Sequence, residues 1–124
     1  MTDSLPSDGP PLIDFDQLHA ATDGDAEVMR ELVALYFQQA DEIMAGLRAA
    51  VQKRDVAEVN HLAHKLAGSS LACGMSAAAP PLRVLEHNAR EGRVDGAEEP
   101  LALAARQIEL MRAQIETVLV NYKK

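Results

Sequence analysis

Residues 61–74 of the chain read HLAHKLAGSSLACG, and the spacing of the apolar residues in and before this stretch predicts a helix. Apolar side chains recur every three or four positions, which is typical of one buried helical face. The members of this stripe are Val56, Val59, Leu62, Leu66 and either Ser70 or Cys73. His64 lies off the stripe, with Ala67 and Gly68 one turn further on. Because glycine inside a helix costs about 1 kcal/mol relative to alanine, Gly68 indicates that something approaches the backbone there.

The composition of the 124-residue chain favours one helical domain with an aliphatic core. Hydrophobic residues make up 48% and aromatic residues 3%, and the frequent alanines favour helix over strand. No apolar run approaches the roughly 20 residues that a membrane span needs, and the acidic, proline-rich start is unlike a signal peptide. The lone Cys73 fits a reducing compartment. We therefore expect a cytoplasmic protein.

The net charge of −7 is distributed unevenly along the chain. Residues 1–30 contain seven acidic residues and one basic residue, whereas residues 53–94 contain four acidic and six basic residues. The chain therefore lacks the strongly basic surface that general nucleic-acid binding requires. The mildly positive region around the histidine is compatible with a phosphoryl group or with an acidic site on a partner.

The pattern of helical segments predicts an all-α fold, an up-down-up-down four-helix bundle with a short additional N-terminal helix. Residues 1–11 are expected to form a disordered leader, and residues 12–124 the bundle domain. Asp25 and Asp55 are predicted to cap the helices that follow them. The predicted helices cover residues 14–21, 26–53, 55–74, about 80–92, and a last segment from between 95 and 100 to about 122.

The spacing also predicts which side chains face the core. The short first helix should bury Ile13, Phe15 and Leu18. The buried stripe of the second helix is predicted as Val28, Leu32, Leu35, Tyr36, Ile43, Leu47 and Ala50. That of the last helix is predicted as Leu101, Ala104, Ile108, Met111, Ile115, Val118, Leu119 and Tyr122. The fourth helix is expected to begin near Pro80; the alternative is a start at Ser76 with a kink at the prolines.

An exposed imidazole can carry phosphoryl chemistry without a nucleotide site. The chain has no glycine-rich phosphate loop, no cysteine pairs with zinc spacing and no serine nucleophile elbow, so we expect no ATP binding and no kinase activity of its own. A free imidazole has a pKa of about 6.5, and its neutral form can attack a phosphoryl group to give a phosphoramidate. Ala67 and Gly68 would give clearance beside His64, and Lys65 could neutralise charge.

The run from His64 to Gly74 resembles the signature of histidine-containing phosphotransfer (HPt) domains of two-component phosphorelays, roughly His-x-x-Lys-Gly-x-Ser/Ala-x-x-x-Gly. The resemblance covers about residues 12–122 and implies that His64 accepts a phosphoryl group from a receiver-domain aspartate or a hybrid kinase and passes it to another receiver. It implies response-regulator receivers and a sensor or hybrid histidine kinase as partners. Neither nucleic acid nor a membrane is expected as a partner, because of the charge distribution and the lack of a long apolar run. The Mg²⁺ used belongs to the receiver, so no cofactor of its own is expected, and the short single bundle is expected to be a monomer.

The resemblance also assigns roles to residues around the histidine, with one departure from the family pattern. The usual lysine three residues after the histidine is Ala67 here, and Lys65 lies about 100° round the helix from His64. Arg83 or Arg90 could supply the missing charge. Glu86 falls where some family members place a polar residue that holds the ring and would fix its tautomer. The residues assigned to the docking surface are His61, Ala67, Ser69 and Leu71.

Two other functions stay open at this point. A helical adaptor could dock receiver or kinase domains without phosphotransfer, and the absence of the usual lysine at Ala67 favours it. A metal-binding bundle could use the pair His61 and His64, although no carboxylate lies on the same turn to complete a site.

Overall fold

The structure, a computed structural model, describes residues 12–121 and is helical with no strand in that range. Its helices are α1 (Phe15–Thr22), α2 (Ala26–Gln52), α3 (Val56–Ala72), α4 (Ala79–Arg90) and α5 (Glu98–Asn121), with a 3₁₀ turn at Ser76–Ala78. The leader predicted for residues 1–11 and the last position of the α5 stripe, Tyr122, lie outside the described residues.

The four longer helices close into a ring around one core. α3 packs between α2 and α4, α5 packs between α4 and α2, and α1 lies across α2 and α3. This arrangement confirms the predicted helical bundle with a short additional helix in front. The interior is aliphatic, with Leu18, Leu47, Leu66, Leu82 and Met111 completely buried.

Side-chain caps fix where α2 and α3 begin. Asp25 Oδ1 accepts hydrogen bonds from the backbone N–H groups of Glu27 and Val28 at 2.9 and 3.0 Å. Asp55 Oδ1 accepts from the N–H of Glu58 at 3.1 Å. Each cap satisfies N–H groups that have no partner inside the helix, and such a cap contributes about 1 kcal/mol. Both predicted N-caps are confirmed.

Gly74 lets the end of α3 meet the start of α1. Its φ is +82°, and a Cβ built on it would lie 2.5 Å from the carbonyl oxygen of Asp14. The N–H of Asp14 donates to the carbonyl of Gly74 at 2.7 Å. A side chain here would therefore be strained and would also separate the two segments.

A buried hydrogen bond joins α2 to α3 inside the bundle. The hydroxyl of Tyr36 lies 2.7 Å from Ser70 Oγ, and Ser70 in turn donates to the carbonyl of Leu66 at 2.7 Å. Burial raises the pKa of Tyr36 to about 12, so the phenol stays protonated. Of the two stripe positions left open, Ser70 is completely buried and Cys73 is partly buried.

The predicted core faces of α1 and α2 are partly wrong. Phe15, Val28 and Leu35 are 42%, 42% and 63% exposed. The side chains that α2 buries in addition to Tyr36, Ile43, Leu47 and Ala50 are Met29, Val33, Phe37, Ala40 and Met44. Val28, Leu32 and Leu35 have helical spacing themselves, so spacing alone did not distinguish an exposed apolar row from the neighbouring buried one.

The prolines of α4 and α5 occupy first turns. α4 begins at Ala79, directly after the 3₁₀ turn, so Pro80 and Pro81 lie where backbone N–H groups have no helical partner. α5 begins at Glu98 and places Pro100 in the same way. The predicted start of α4 near Pro80 is therefore correct within one residue.

Candidate functional site

His64 lies near the middle of α3 with its side chain 67% exposed, and it is held from one side by α4. Its Nδ1 is 2.7 Å from Oε2 of Glu86. An ionised carboxylate can only accept a hydrogen bond, so the hydrogen lies on Nδ1. In the neutral ring the lone pair is then on Nε2, the nitrogen away from Glu86.

Glu86 is a buried carboxylate held at both oxygens. Its side chain is 8% exposed. Arg83 donates to Oε1 at 2.8 Å, and Arg90 donates to Oε2 at 3.1 Å. The three residues share one face of α4, because residues three and four apart are neighbours on a helix. Asn60 of α3 donates to the backbone carbonyl of Glu86 at 2.9 Å, which ties this turn of α4 to the helix that carries the histidine.

The partners of Glu86 keep its carboxylate ionised. Burial acts to raise its pKa, but the hydrogen bonds from Arg83 and His64 outweigh burial, and the pKa of Glu86 lies below its ordinary value. At neutral pH the imidazole therefore faces a fixed negative charge.

Gly68 lies one turn after His64 and faces open space. A Cβ built on Gly68 meets no atom within 4 Å, whereas one built on Gly46 of α2 would lie 3.1 Å from Leu62 Cδ1. Packing inside the bundle therefore explains the glycine at 46 but not the one at 68. The free space beside the imidazole is available to another molecule.

Comparison with known proteins places the chain in a family. The family model of the Hpt domain matches residues 31–119, which include His64, Gly68 and Glu86. The chain belongs to the Hpt domain family. Its role is therefore phosphotransfer in two-component relays, and the resemblance found in the sequence is confirmed.

One solved structure similar to this Hpt domain is histidine-containing phosphotransfer protein B (HptB) from Pseudomonas aeruginosa PAO1. The TM-score is 0.84 at 23% sequence identity, over 93% of this chain and 100% of that chain. At this identity the likeness shows the shared fold. No curated protein matches the chain.

The residues predicted for the docking surface of this Hpt domain do not all reach the surface. His61 is exposed and Leu71 is 44% exposed. Ser69 is partly buried and donates to Gln39 of α2 at 2.8 Å. Ala67 is completely buried. Its predicted part in the docking surface and in clearing space is wrong, because it lies two turns after Asn60, on the side of α3 that α4 covers.

The residues predicted to supply positive charge lie in two different places, Lys65 on α3 and the two arginines on α4. Lys65 is exposed, at the position next to His64 along α3. Arg83 and Arg90 each form an ion pair with the carboxylate of Glu86, which also contacts the imidazole of His64. The direct part predicted for these arginines, neutralising a phosphoryl group, stays a prediction, and their observed part is to hold Glu86.

Two residues that lie near the site, Leu35 and Asn60, are not assigned to it by the sequence pattern. Leu35, assigned to the core of α2, is exposed, and with Gln39 and Ser69 it lines a groove of about 390 Å³ between α2 and α3. Asn60 supplies the link to α4 described above. A polar residue one turn before the histidine was the available signal for Asn60; Leu35 offered none, because apolar spacing does not tell core from surface.

Residues 12–121 contain neither a candidate metal site nor a candidate membrane span. In this range no three His, Cys, Asp or Glu side chains are grouped so that they could hold a metal ion. Nor does the described part of the chain contain a helix long and apolar enough to cross a membrane.

Proposed function

We propose that His64 is the phosphoacceptor of this Hpt domain, receiving a phosphoryl group from a receiver-domain aspartate or a hybrid kinase and passing it to another receiver. The observation that carries the proposal is the contact of Nδ1 with the buried carboxylate of Glu86 at 2.7 Å. It fixes the ring with Nε2 as the nucleophilic nitrogen, and the side chain is 67% exposed. Within residues 12–121, no protein group forms a hydrogen bond with Nε2.

Apart from an exposed and oriented imidazole, the transfer step requires little from the domain. The Nε2 lone pair attacks the phosphorus of the aspartyl phosphate, and the bond between phosphorus and the aspartate oxygen breaks with its electron pair on that oxygen. Such steps depend mainly on in-line positioning and charge neutralisation. The ring becomes positive as the N–P bond forms, and Glu86 faces that charge. We expect Mg²⁺ to be bound by the receiver and no cofactor by this domain.

The surface around Gly68 is the proposed docking site for the receiver. Gly68 leaves room beside the imidazole, exposed Leu71 offers an apolar contact, and His61, Lys65 and Ser69 lie at the rim. A small, partly apolar surface allows a partner to bring its phosphoaspartate close to Nε2. We expect a monomer to suffice, acting in the cytoplasm with receivers and a sensor or hybrid kinase.

Phosphoryl transfer from labelled phospho-receivers tests this proposal. Wild type is compared with His64→Gln, and His87→Gln is the matched control, since His87 is also exposed and lies beside a carboxylate. We expect acid-labile, alkali-stable label on wild type and His87→Gln and none on His64→Gln. Label retained on His64→Gln would refute the assignment of His64.

The same experiment separates phosphotransfer from the adaptor function. Binding of receivers by wild type without any transfer of label would favour the adaptor. If transfer occurs, Lys65→Ala then shows whether the exposed lysine next to the histidine contributes charge, with a lower rate as the expected result.

A further inference from the structure

The charge of Glu86 has a consequence for the return step, in which phospho-His64 gives up its phosphoryl group. We propose that the ionised carboxylate keeps the phosphorylated ring protonated at Nδ1, so that phospho-His64 stays an active donor to higher pH than an uncharged partner would allow. Glu86 is then a positioning residue that also sets the pH range of onward transfer. This inference rests on the proposed function of His64.

The chemistry of the leaving group makes the Nδ1 proton important. In onward transfer an aspartate oxygen of the receiver forms a bond to phosphorus, and the bond between phosphorus and Nε2 breaks with its electron pair on Nε2. When Nδ1 carries its proton, neutral imidazole leaves and no proton has to move. Without that proton the leaving group is the imidazolate anion, which leaves far less readily. The protonated phosphohistidine is therefore the donor form.

The geometry around Glu86 gives its charge a strong effect on that proton. The oxygen that meets Nδ1 is 2.7 Å away on a carboxylate that is almost fully buried, where solvent screens the interaction little. Arg83 and Arg90 act in the opposite sense, but both lie against the carboxylate and are about half exposed or more, so water screens their charge. A glutamine at position 86 could accept the same hydrogen bond without the negative charge.

The charged groups on the other elements packed against α3 do not form a comparable contact with the ring. On α3 itself, His61 and Lys65 are exposed. On α2, Glu42 lines the groove beside Ser69. α1 meets α3 at Ala72, two turns beyond the histidine, and the 3₁₀ turn, of sequence Ser-Ala-Ala, has no titratable side chain. Glu86 is therefore the group expected to control the proton.

The test is the pH dependence of onward transfer from preloaded phospho-His64. Wild type and Glu86→Gln are loaded from a phospho-receiver, separated from it, and mixed with fresh receiver at pH values spanning the titration of histidine. We expect the rate to fall with rising pH in both, with a midpoint about one unit or more higher in wild type. At pH values well above both midpoints, Glu86→Gln should transfer about tenfold more slowly. Glu91→Gln, the same change at an exposed carboxylate, should follow wild type.

A second measurement removes the receiver from the test. The domain is loaded with phosphoramidate, and spontaneous loss of phosphate from phospho-His64 is followed against pH; the same displacement of midpoints is expected, because hydrolysis uses the same leaving group. Loading of both variants with coincident pH profiles would overturn this inference and leave the proposed function standing. Failure of wild type to load at His64 by either route would overturn the proposed function, and this inference with it.

Discussion

His64 and His87 each lie beside a carboxylate, and the two pairs differ in how that carboxylate is held. The distance from ring nitrogen to oxygen is 2.7 Å for His64 and Glu86 but 3.4 Å for His87 and Glu91. The side chain of Glu86 is 8% exposed and that of Glu91 is 48% exposed. The histidines themselves are similarly open to solvent, so the difference lies in the partner.

The comparison shows what distinguishes a positioned histidine from a surface histidine. Glu86 is fixed by Arg83 and Arg90 and by burial, so it can impose one orientation and one tautomer on the ring. Glu91 shares its charge with Arg93 at the surface, where screening and side-chain freedom leave such pairs weak. Exposure and a nearby acid are therefore insufficient; the acid must itself be held.

The largest expected effect comes from removing the held carboxylate. Glu86→Ala frees the ring of His64. Loss of the carboxylate that orients a metal-ligating histidine costs about 10- to 100-fold, and Glu86 holds the ring of His64 in the same geometric way. We expect phosphoryl transfer to His64 to fall by that factor, measured as the initial rate of labelling from a phospho-receiver. Glu91→Ala should leave the rate unchanged. Equal rates in both variants would remove the distinction between the two pairs.

The same two variants should differ in stability. Glu86→Ala leaves Arg83, Arg90 and His64 without their common acceptor, and a hydrogen bond to a charged group contributes about 1.5–3 kcal/mol. We expect the free energy of unfolding to fall by about 2 kcal/mol in urea denaturation. Glu91→Ala should denature like wild type. If Glu86→Ala lowered the free energy of unfolding no more than Glu91→Ala, the buried contacts of Glu86 would contribute no more stability than the exposed contacts of Glu91.

Gly68 and Gly46 form a second pair for comparison, because they differ in the free space around the backbone. Gly68→Ala should raise the free energy of unfolding by up to about 1 kcal/mol, because alanine favours helix and its Cβ meets nothing. It should also slow transfer from a receiver by occupying the docking space. Gly46→Ala should gain less stability, since Leu62 must move, and should transfer normally. Normal transfer by Gly68→Ala, measured with the same receiver, would argue against docking at this position.

The smallest expected effect concerns acid pH. The folded pKa of Glu86 lies below its ordinary value, so ionised Glu86 contributes stability above the unfolded pKa and loses it as the pH falls through the folded pKa. Wild type should therefore be more stable than Glu86→Gln at neutral pH, with the difference vanishing in acid. Urea denaturation of both proteins across this range measures it. If the difference in the free energy of unfolding persisted after Glu86 is protonated, its cause would be packing and not charge.

Helix positions could be predicted from the sequence because caps, prolines and glycines act locally. Asp25, Asp55, Gly74 and Pro80 mark ends of helices by rules that need no knowledge of neighbouring helices. The buried face of α2 could not be predicted equally well. Leu35 belongs to an apolar row that competes with the true one, and only the placement of α1, α3 and α5 decides between them.

In the candidate site, too, features that lie within one helix could be predicted from the sequence, whereas features that depend on how two helices pack could not. His64 and Gly68 stand out by their spacing on one helix. Glu86 was assigned through the family resemblance, and its anchoring by Arg83 follows from the i,i+3 geometry of α4 once that helix is known. The burial of Ala67 was not predictable, because it depends on how closely α4 covers α3.

The most direct measurement is the identification of the phosphorylated ring atom by nuclear magnetic resonance. The ¹⁵N-labelled domain is phosphorylated by a phospho-receiver, and coupling between phosphorus and the ring nitrogens of His64 is recorded. We expect coupling to Nε2 of His64, with Nδ1 still hydrogen-bonded to Glu86. Phosphorylation at Nδ1, or at any residue other than His64, would contradict it.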